Sequence, residues 1–317
     1  MSQPTTLPDG PWESLFRSAL TLIDEIRQHG GLADPFFTFG GGTVLMLRYG
    51  HRLSKDIDIF VPDPQSLGYV SPRLSDVAEE LCRAQYVEAA GYVKLQLEQG
   101  EIDFVAAPNL LPAEHAFELW ELFGQSVRVE TAAEIVAKKM YHRGDKATAR
   151  DLFDLALVIE REPAAMSMAQ PFFYRHMDKF SAHLHTPSAS FVRQFNDIAT
   201  LEYQPTFEHA VKATLQYFNG MKTELSKSAG TALQFANENG YNVEATDVEK
   251  GNYVGRLLHT TSHHIVQHLG HDSVALHELH RLPGPLQDAV DESNVHLRYR
   301  HGTASLLTKG RSPGHER

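Results

Sequence analysis

The chain has a single cysteine, Cys82, in 317 residues. That excludes an internal disulfide and suits a reducing, cytoplasmic setting. It has no apolar run near the ~20 residues that a membrane-crossing helix needs. Its N-terminus lacks the basic start and apolar core of a secretory signal, so no membrane partner is expected. An excess of positive charge is missing too: 29 Lys and Arg stand against 40 Asp and Glu, for a net charge of −11. A surface that clings to DNA or RNA over its whole area is thereby excluded, and any nucleic-acid contact must use a local basic patch. What remains, 42% hydrophobic and 22% charged residues, is the balance of a soluble globular protein, at a length that allows a sizeable core and an appended module.

The most informative stretch is Phe39-Gly40-Gly41-Gly42-Thr43, followed after a short helical run, Val44 to Tyr49, by His51-Arg52-Leu53-Ser54-Lys55-Asp56-Ile57-Asp58-Ile59-Phe60. Three glycines let a backbone approach a ligand closely. Thr43 is placed to cap the helix, whose free N–H groups and positive dipole end favour a phosphate. Asp56 and Asp58 alternate with Ile57 and Ile59, so a strand here turns both carboxylates to one face and both isoleucines to the core. Two adjacent carboxylates repel unless a cation lies between them. Mg²⁺, which takes a few carboxylates plus phosphate oxygens, is the matching ion, with Mn²⁺ as the alternative. A bare Asp-x-Asp also occurs on solvated surface strands; the glycine turn and helix upstream set this one apart.

With these motifs the chain resembles nucleotidyltransferases of the polymerase-beta type, whose signature is a glycine pair, a short helix and a hydrophobic-flanked Asp-x-Asp. Thirteen residues lie between Gly42 and Asp56. Gly-Gly-Thr combined with His-Arg-x-Ser-x-Asp-x-Asp is similar to the AbiEii-like nucleotidyltransferase toxins of bacterial abortive-infection and toxin–antitoxin systems. The resemblance implies an α/β (α+β) core with a mixed sheet and a helical lobe, and an NTP as substrate. It implies Mg²⁺ or Mn²⁺ on Asp56 and Asp58, with Gly41, Gly42, Thr43, Ser54, Arg52 and Lys138 around the nucleotide.

Before the glycine turn, Trp12, Leu15, Phe16, Ala19, Leu20, Ile23 and Ile26 recur at helical steps, ended by Gly30-Gly31, and Phe36 to Phe39 reads as a short strand. After it, Ser71-Pro72 opens an expected helix with Leu74, Val77, Ala78 and Leu81 inward. Tyr92 to Leu97 and Ile102 to Val105 read as an antiparallel hairpin. Asp103, polar between Ile102 and Phe104, is either a hairpin aspartate facing water or, as the resemblance implies, the third metal-binding carboxylate and a candidate base.

Val127 to Glu130 reads as a strand, and Thr131-Ala132-Ala133-Glu134 as a capping box opening a helix through His142, closed by Gly144. A second helix is expected from about Lys146 to Glu160. Lys138, Lys139, His142, Arg143, Lys146 and Arg150 form a local basic patch. Glu134 to Lys139 followed by Arg150-Asp151-Leu152-Phe153-Asp154-Leu155 looks like the second AbiEii-like signature, which implies Lys139 on the triphosphate and Asp151 serving the acceptor. The alternative is a salt-bridged surface helix in which Arg150 pairs with Asp154.

Residues 164 to 227 read as a helical lobe whose phenylalanines are core, and residues 226 to 250 as an interdomain linker with some helix in it. From Gly251 short β-like runs recur at about ten-residue spacing, an all-β module over residues 251 to 310. Tyr-Val-Gly-x-x-Leu-His-x-Thr-x-x-His-x-x-Val-Gln, Leu-His-Glu-Leu and Leu-Arg-Tyr-Arg-His-Gly resemble the KfrB-type domain of plasmid-encoded proteins, which implies a binding role for an unknown partner. His259, His263, His264, His268 and His271 have a spacing that suits zinc on a helix, but the β pattern argues against that helix.

The resulting expectation is a nucleotidyltransferase domain over 1–225 that moves an NMP from an NTP to an acceptor hydroxyl with metal help. By resemblance the acceptor is a tRNA 3′ end, in a toxin held by a cognate antitoxin. The alternative is an inactive plasmid-maintenance scaffold, disfavoured by the intact Asp56 and Asp58.

Overall fold

In the first helix, α1 (Trp12–His29), the buried stripe is Trp12, Leu15, Phe16, Ala19, Leu22, Ile23 and Ile26, with Leu22 in place of Leu20. Each leucine, isoleucine or phenylalanine of the stripe contributes about 1.5–3 kcal/mol by leaving water. Gly30 closes the helix, donating its N–H to the Ile26 carbonyl. The structure, a computed structural model, describes residues 3–4, 6–283, 286 and 294–307. The chain divides into two units, Met1–Tyr217 and Phe218–Arg317.

In the first unit α1 is followed by β1 (Thr38–Gly40), α2 (Gly41–Tyr49), β2 (Ile57–Val61), a 3₁₀ turn at Pro64–Val70 and α3 (Asp76–Cys82). Next come β3 (Tyr86–Ala89), β4 (Tyr92–Gln96), β5 (Glu101–Ala106), α4 (Ala113–Ala116), β6 (Phe117–Leu122) and β7 (Gln125–Glu130). The helices α5 (Ala132–Arg143), α6 (Ala149–Arg161), α7 (Pro163–Phe173), α8 (Met177–His185) and α9 (Ala189–Asn196) complete it. The seven strands form one mixed sheet in the order β3-β4-β5-β2-β1-β7-β6. β2 runs parallel to β5 and antiparallel to β1, so the strand carrying Asp58 lies in the interior of the sheet.

Three local expectations change. The helix expected from Ser71 begins at Asp76 instead, because Ser75 accepts the Ala78 N–H and so caps it, which leaves Leu74 76% exposed. Thr43 is not the cap of α2. Gly40 holds that position, and the Thr43 hydroxyl donates to the Asp56 carbonyl at 2.6 Å, tying helix to strand. Thr131 does cap α5, but the Glu134 carboxylate accepts from the Leu110 and Leu111 N–H groups, each at 2.9 Å, instead of closing the box. The reciprocal box is at Thr148 and Asp151, opening α6.

The connection expected over 226–250, with some helix in it, holds two regular elements. α10 (Phe207–Glu238) runs through its first half, and β8 (Asn242–Glu244) joins the second sheet beside β11. Ala232 and Ala236 of α10 pack on Val266 and Val274, an apolar stripe too small-sided to stand out in the sequence. The second unit continues with β9 (Asn252–Thr260), β10 (His264–Gly270), β11 (Ser273–Glu278), β12 (Asn294–Arg300) and β13 (Thr303–Leu306), ordered β13-β12-β9-β10-β11-β8. The opposite face of this sheet buries Leu257, Ile265, Val295 and Leu297. Among the described residues no helix is long and apolar enough to cross a membrane.

Candidate active site

The alternation expected around Asp58 is realised: Ile57, Ile59 and Val61 are buried on one face of β2, with Asp58 and Phe60 on the other. Register then sets a row across three strands. Gly40 of β1 lies opposite Asp58, and Asp58 opposite Asp103 of β5. Asp56 lies just before β2 and accepts the Glu101 N–H at 3.1 Å. Burial and the neighbouring Asp103 push the Asp58 carboxyl up to about 7, with Asp56 adding to the rise. Burial raises Asp103 as well, opposed by Lys94, whose ammonium lies 3.1 Å away. The Asp103 Oδ1 is buried with no hydrogen-bond partner.

The glycines serve this row from within. A β-carbon on Gly41, whose φ is +73°, would lie 1.8 Å from the Asp58 Oδ2, and one on Gly42 would meet the Arg52 Nη2 at 2.6 Å and the Ser54 Oγ at 3.1 Å. Their smallness is therefore required by the protein's own side chains, before any ligand approaches. Gly40 is likewise pressed by Glu130.

Behind the row lies a buried ionic cluster centred on Asp154, which is fully buried. Arg52 grips it with two bonds of 2.7 and 2.8 Å, His51 lies at 2.9 Å and Lys139 at 2.8 Å. Burial works against ionisation of Asp154, but Arg52 and Lys139 hold its carboxyl well below the usual range. The His51 ring is pushed below its ordinary pKa by burial. Lys139 also bonds Asp151 at 2.8 Å, and Arg143 bonds the same oxygen at 2.7 Å. Asp151 further accepts from the Thr148 N–H and hydroxyl at the start of α6. Despite burial, Lys139 and Arg143 hold it below the usual carboxylate range.

Placement thus separates the expected residues. Asp56, Asp58, Asp103, Gly41 and Gly42 come together on neighbouring strands and the first turn of α2. Lys139 and Asp151 are joined to each other, and the charge of Lys139 and of Arg143 reaches Asp58, pulling against its raised pKa. Lys138, expected at the nucleotide, is buried and bonds Glu130, also lying over the Phe60 ring at 4.0 Å. Arg52, expected there too, is buried and held by Asp154. Thr43 is fully buried, its hydroxyl taken by Asp56 and Ser54. All three are thus buried and tied to the protein's own groups.

Arg150 is exposed and no ion pair joins it to Asp154, so the surface salt-bridge reading of α6 does not hold either. Asp154 as the hub was not foreseen; its flanks Leu152, Phe153 and Leu155 were the available sign of burial. Lys94 was missed as well, although its register opposite Asp103 follows from the expected hairpin.

A cation fits the row. Two carboxylates side by side, one raised toward neutrality and one with a partnerless buried oxygen, are a donor set for a hard divalent ion. Among the described residues no three such side chains already converge as a closed metal cage, so substrate oxygens would have to complete the shell.

Residues 26–234 match the family described as the nucleotidyl transferase AbiEii toxin of type IV toxin–antitoxin systems, and residues 252–308 match the KfrB domain. No curated protein matches the chain. Among solved structures, a candidate nucleotidyltransferase from Helicobacter pylori is 18% identical, covering 68% of this chain and 97% of that one, with a TM-score of 0.34. JHP933 from Helicobacter pylori is 17% identical over 72% of this chain and all of that one, with a TM-score of 0.37. With two thirds of its length matched, the chain belongs to the AbiEii nucleotidyltransferase toxin family of type IV toxin–antitoxin systems.

Proposed function

We propose that the first unit moves a nucleoside monophosphate from an NTP to an acceptor hydroxyl, releasing pyrophosphate, and that the acceptor is RNA, at the 3′ end of a tRNA. The observation that carries the reading is the in-register row of Gly40, Asp58 and Asp103 beside the N-terminus of α2. Asp56 and Asp58 would hold Mg²⁺ or Mn²⁺, with Asp103 as third carboxylate; a bound ion would offset the phosphate charge that grows as pyrophosphate departs. The free N–H groups opening α2 at Gly41 and Gly42, with the Ser54 hydroxyl, would receive the triphosphate. Lys139 would steady it through its charge, held in place by Asp151 and Asp154.

Asp103 suits the role of proton acceptor better than Asp151. A carboxylate held down by two cations and two donors from Thr148 is a weak base, whereas one raised by burial takes a proton readily. Family membership supports a cognate antitoxin that restrains the toxin in the cell.

The test incubates the purified protein with each labelled NTP, Mg²⁺ or Mn²⁺ and total RNA, beside an Asp58→Asn control. Label entering RNA with one NTP, and at least 100-fold less with the control, is the expected outcome. Equal incorporation by both would leave the scaffold reading in its place.

A further inference from the structure

Strands β9, β12 and β13 contain no Asp or Glu, in a chain whose acids outnumber its bases by 40 to 29. They carry three arginines, Arg256, Arg298 and Arg300, all exposed. Register places the three on one face. Arg256 lies opposite Asn294, and Arg298 opposite Asn252 and Ser305; Arg300 pairs with Thr303 two residues further along the same strand. Tyr253, Leu257, Val295, Leu297 and Tyr299 point the other way, into the core.

The face that bears the arginines is the one α10 covers over β10 and β11, where Ala232 and Ala236 meet Val266 and Val274. Toward β12 and β13 the described residues offer no such cover, and Val254, between the arginines, is 51% exposed. No ion pair joins Arg256, Arg298 or Arg300 to any acid among the described residues. Among the described residues Glu249 lies by the β12–β13 turn, 3.9 Å from His301.

Successive same-face residues on a strand are about 7 Å apart, so Arg298 and Arg300 form a row, with Arg256 displaced along the neighbouring strand. Between them stand Asn252, Asn294 and His296, where His296 Nε2 lies 2.6 Å from the Asn252 Oδ1. Guanidinium groups engage phosphates with two parallel bonds, and amide side chains add donors and acceptors for a sugar hydroxyl. The ring on this face is the His296 imidazole, tied to Asn252, and no Phe, Tyr or Trp lies among its described residues, so it has no broad platform for stacked bases. A flat sheet also lacks the protruding helix or ribbon that enters a duplex groove.

We propose that the arginine face of β9, β12 and β13 binds the sugar–phosphate backbone of single-stranded RNA without regard to sequence. The choice of RNA over DNA rests on the RNA acceptor proposed above; the binding itself needs neither NTP nor transfer. Three phosphate contacts correspond to a slope of about −2 in log affinity against log salt, so binding to a mixed-sequence RNA weakens roughly 20-fold between 50 and 200 mM salt.

The test uses the full chain with labelled single-stranded RNA, single-stranded DNA of the same sequence, and vesicles containing phosphatidylserine, each titrated at several salt concentrations. The triple variant Arg256→Gln, Arg298→Gln, Arg300→Gln is expected to bind RNA at least 10-fold more weakly, with a flatter salt slope. Its lysine counterpart keeps most of the binding, and Asp58→Asn leaves it unchanged, which separates this surface from the active site. A thermal melt confirms that the variants are folded, since all three positions are exposed. RNA binding unchanged in the triple variant overturns the proposal, as does a loss confined to the vesicles, which would make this a membrane-binding surface. Tighter binding to DNA than to RNA overturns the choice of RNA.

Discussion

Asp58 leaves no room for a β-carbon on Gly41: one built there would lie 1.8 Å from the Asp58 Oδ2. Gly41 also has a φ of +73°, which an alanine holds only at a cost of about 1–3 kcal/mol. Gly41→Ala is therefore expected to lower the melting temperature and displace Asp58 together. Since a misplacement of about 1 Å in a reacting group costs on the order of 100-fold, transfer should fall at least that far. Gly42→Ala meets the end of the Arg52 side chain instead and should cost less. Initial rates and melts of the two variants, compared side by side, check the order.

The raised carboxyl of Asp58 has a stability consequence in the metal-free protein. A carboxyl raised to about 7 in the fold, from about 3.9 in the unfolded chain, keeps its proton longer when folded. Its contribution is complete below about pH 4 and is lost as pH rises through 7. Metal-free wild type should thus lose melting temperature between pH 5 and 8 relative to Asp58→Asn. Added Mg²⁺ should recover it at pH 8 and do little at pH 5.5, where protons compete for the same oxygens. A wild-type-to-variant gap that stays constant over this range would show that Asp58 titrates normally.

Asp154 and Lys138 carry buried charge with fixed partners, and removing one member leaves the others uncompensated. Asp154→Ala strands Arg52 and His51 and leaves Lys139 with Asp151 alone, and such a loss costs about 3–5 kcal/mol. Asp154→Asn keeps the shape and some hydrogen bonds, so it should unfold at an intermediate urea concentration. Lys138→Met, which unpairs Glu130, should lower stability while leaving the KM for NTP near the wild-type value, whereas Lys139→Met should raise it. A raised KM in Lys138→Met would return Lys138 to the nucleotide.

The contrast between those two lysines shows how much of the site was legible. Spacing alone set Asp58 on the polar face of a strand and Asp103 in a hairpin strand, because period-two burial is written into Ile57, Ile59, Ile102 and Phe104; only the resemblance set the two strands side by side. The family motif singled out Lys139. Adjacent Lys138 points about 100° away round the helix, and only the fold reveals that Glu130 waits there. Strands β3 and β6 went unseen for a related reason: they are the two edges of the sheet, with few buried side chains to produce a pattern. The packing of Ala232 and Ala236 within the expected connection went unread because small residues make close helix–sheet packing without a large apolar signal.

In the second unit, His277 is fully buried and sits 3.0 Å from both the Tyr299 hydroxyl and the Gln267 Oε1. Gln267 donates its amide hydrogens to the Gly255 and Val295 carbonyls, so its oxygen is an acceptor. The His277 Nε2 must then carry the proton, and its Nδ1 receives the Tyr299 hydroxyl. A second proton on Nδ1 would break the bond that the Tyr299 hydroxyl donates there, and burial lowers the ring to about 4. The unfolded chain takes up that proton near pH 6.5, so the stability contributed by neutral His277 is full above 6.5 and declines as pH falls toward 4. The decline amounts to about 3 kcal/mol, at 1.36 kcal/mol per unit. In His277→Gln this dependence disappears. The variant should therefore be less stable than wild type at pH 7.5, by roughly 1–3 kcal/mol for the broken buried hydrogen bonds, and should draw level with it as pH approaches 4. Urea melts of both proteins at pH 7.5, 6, 5 and 4 measure the gap; a gap that widens on acidification would mean that the ring is charged in the fold.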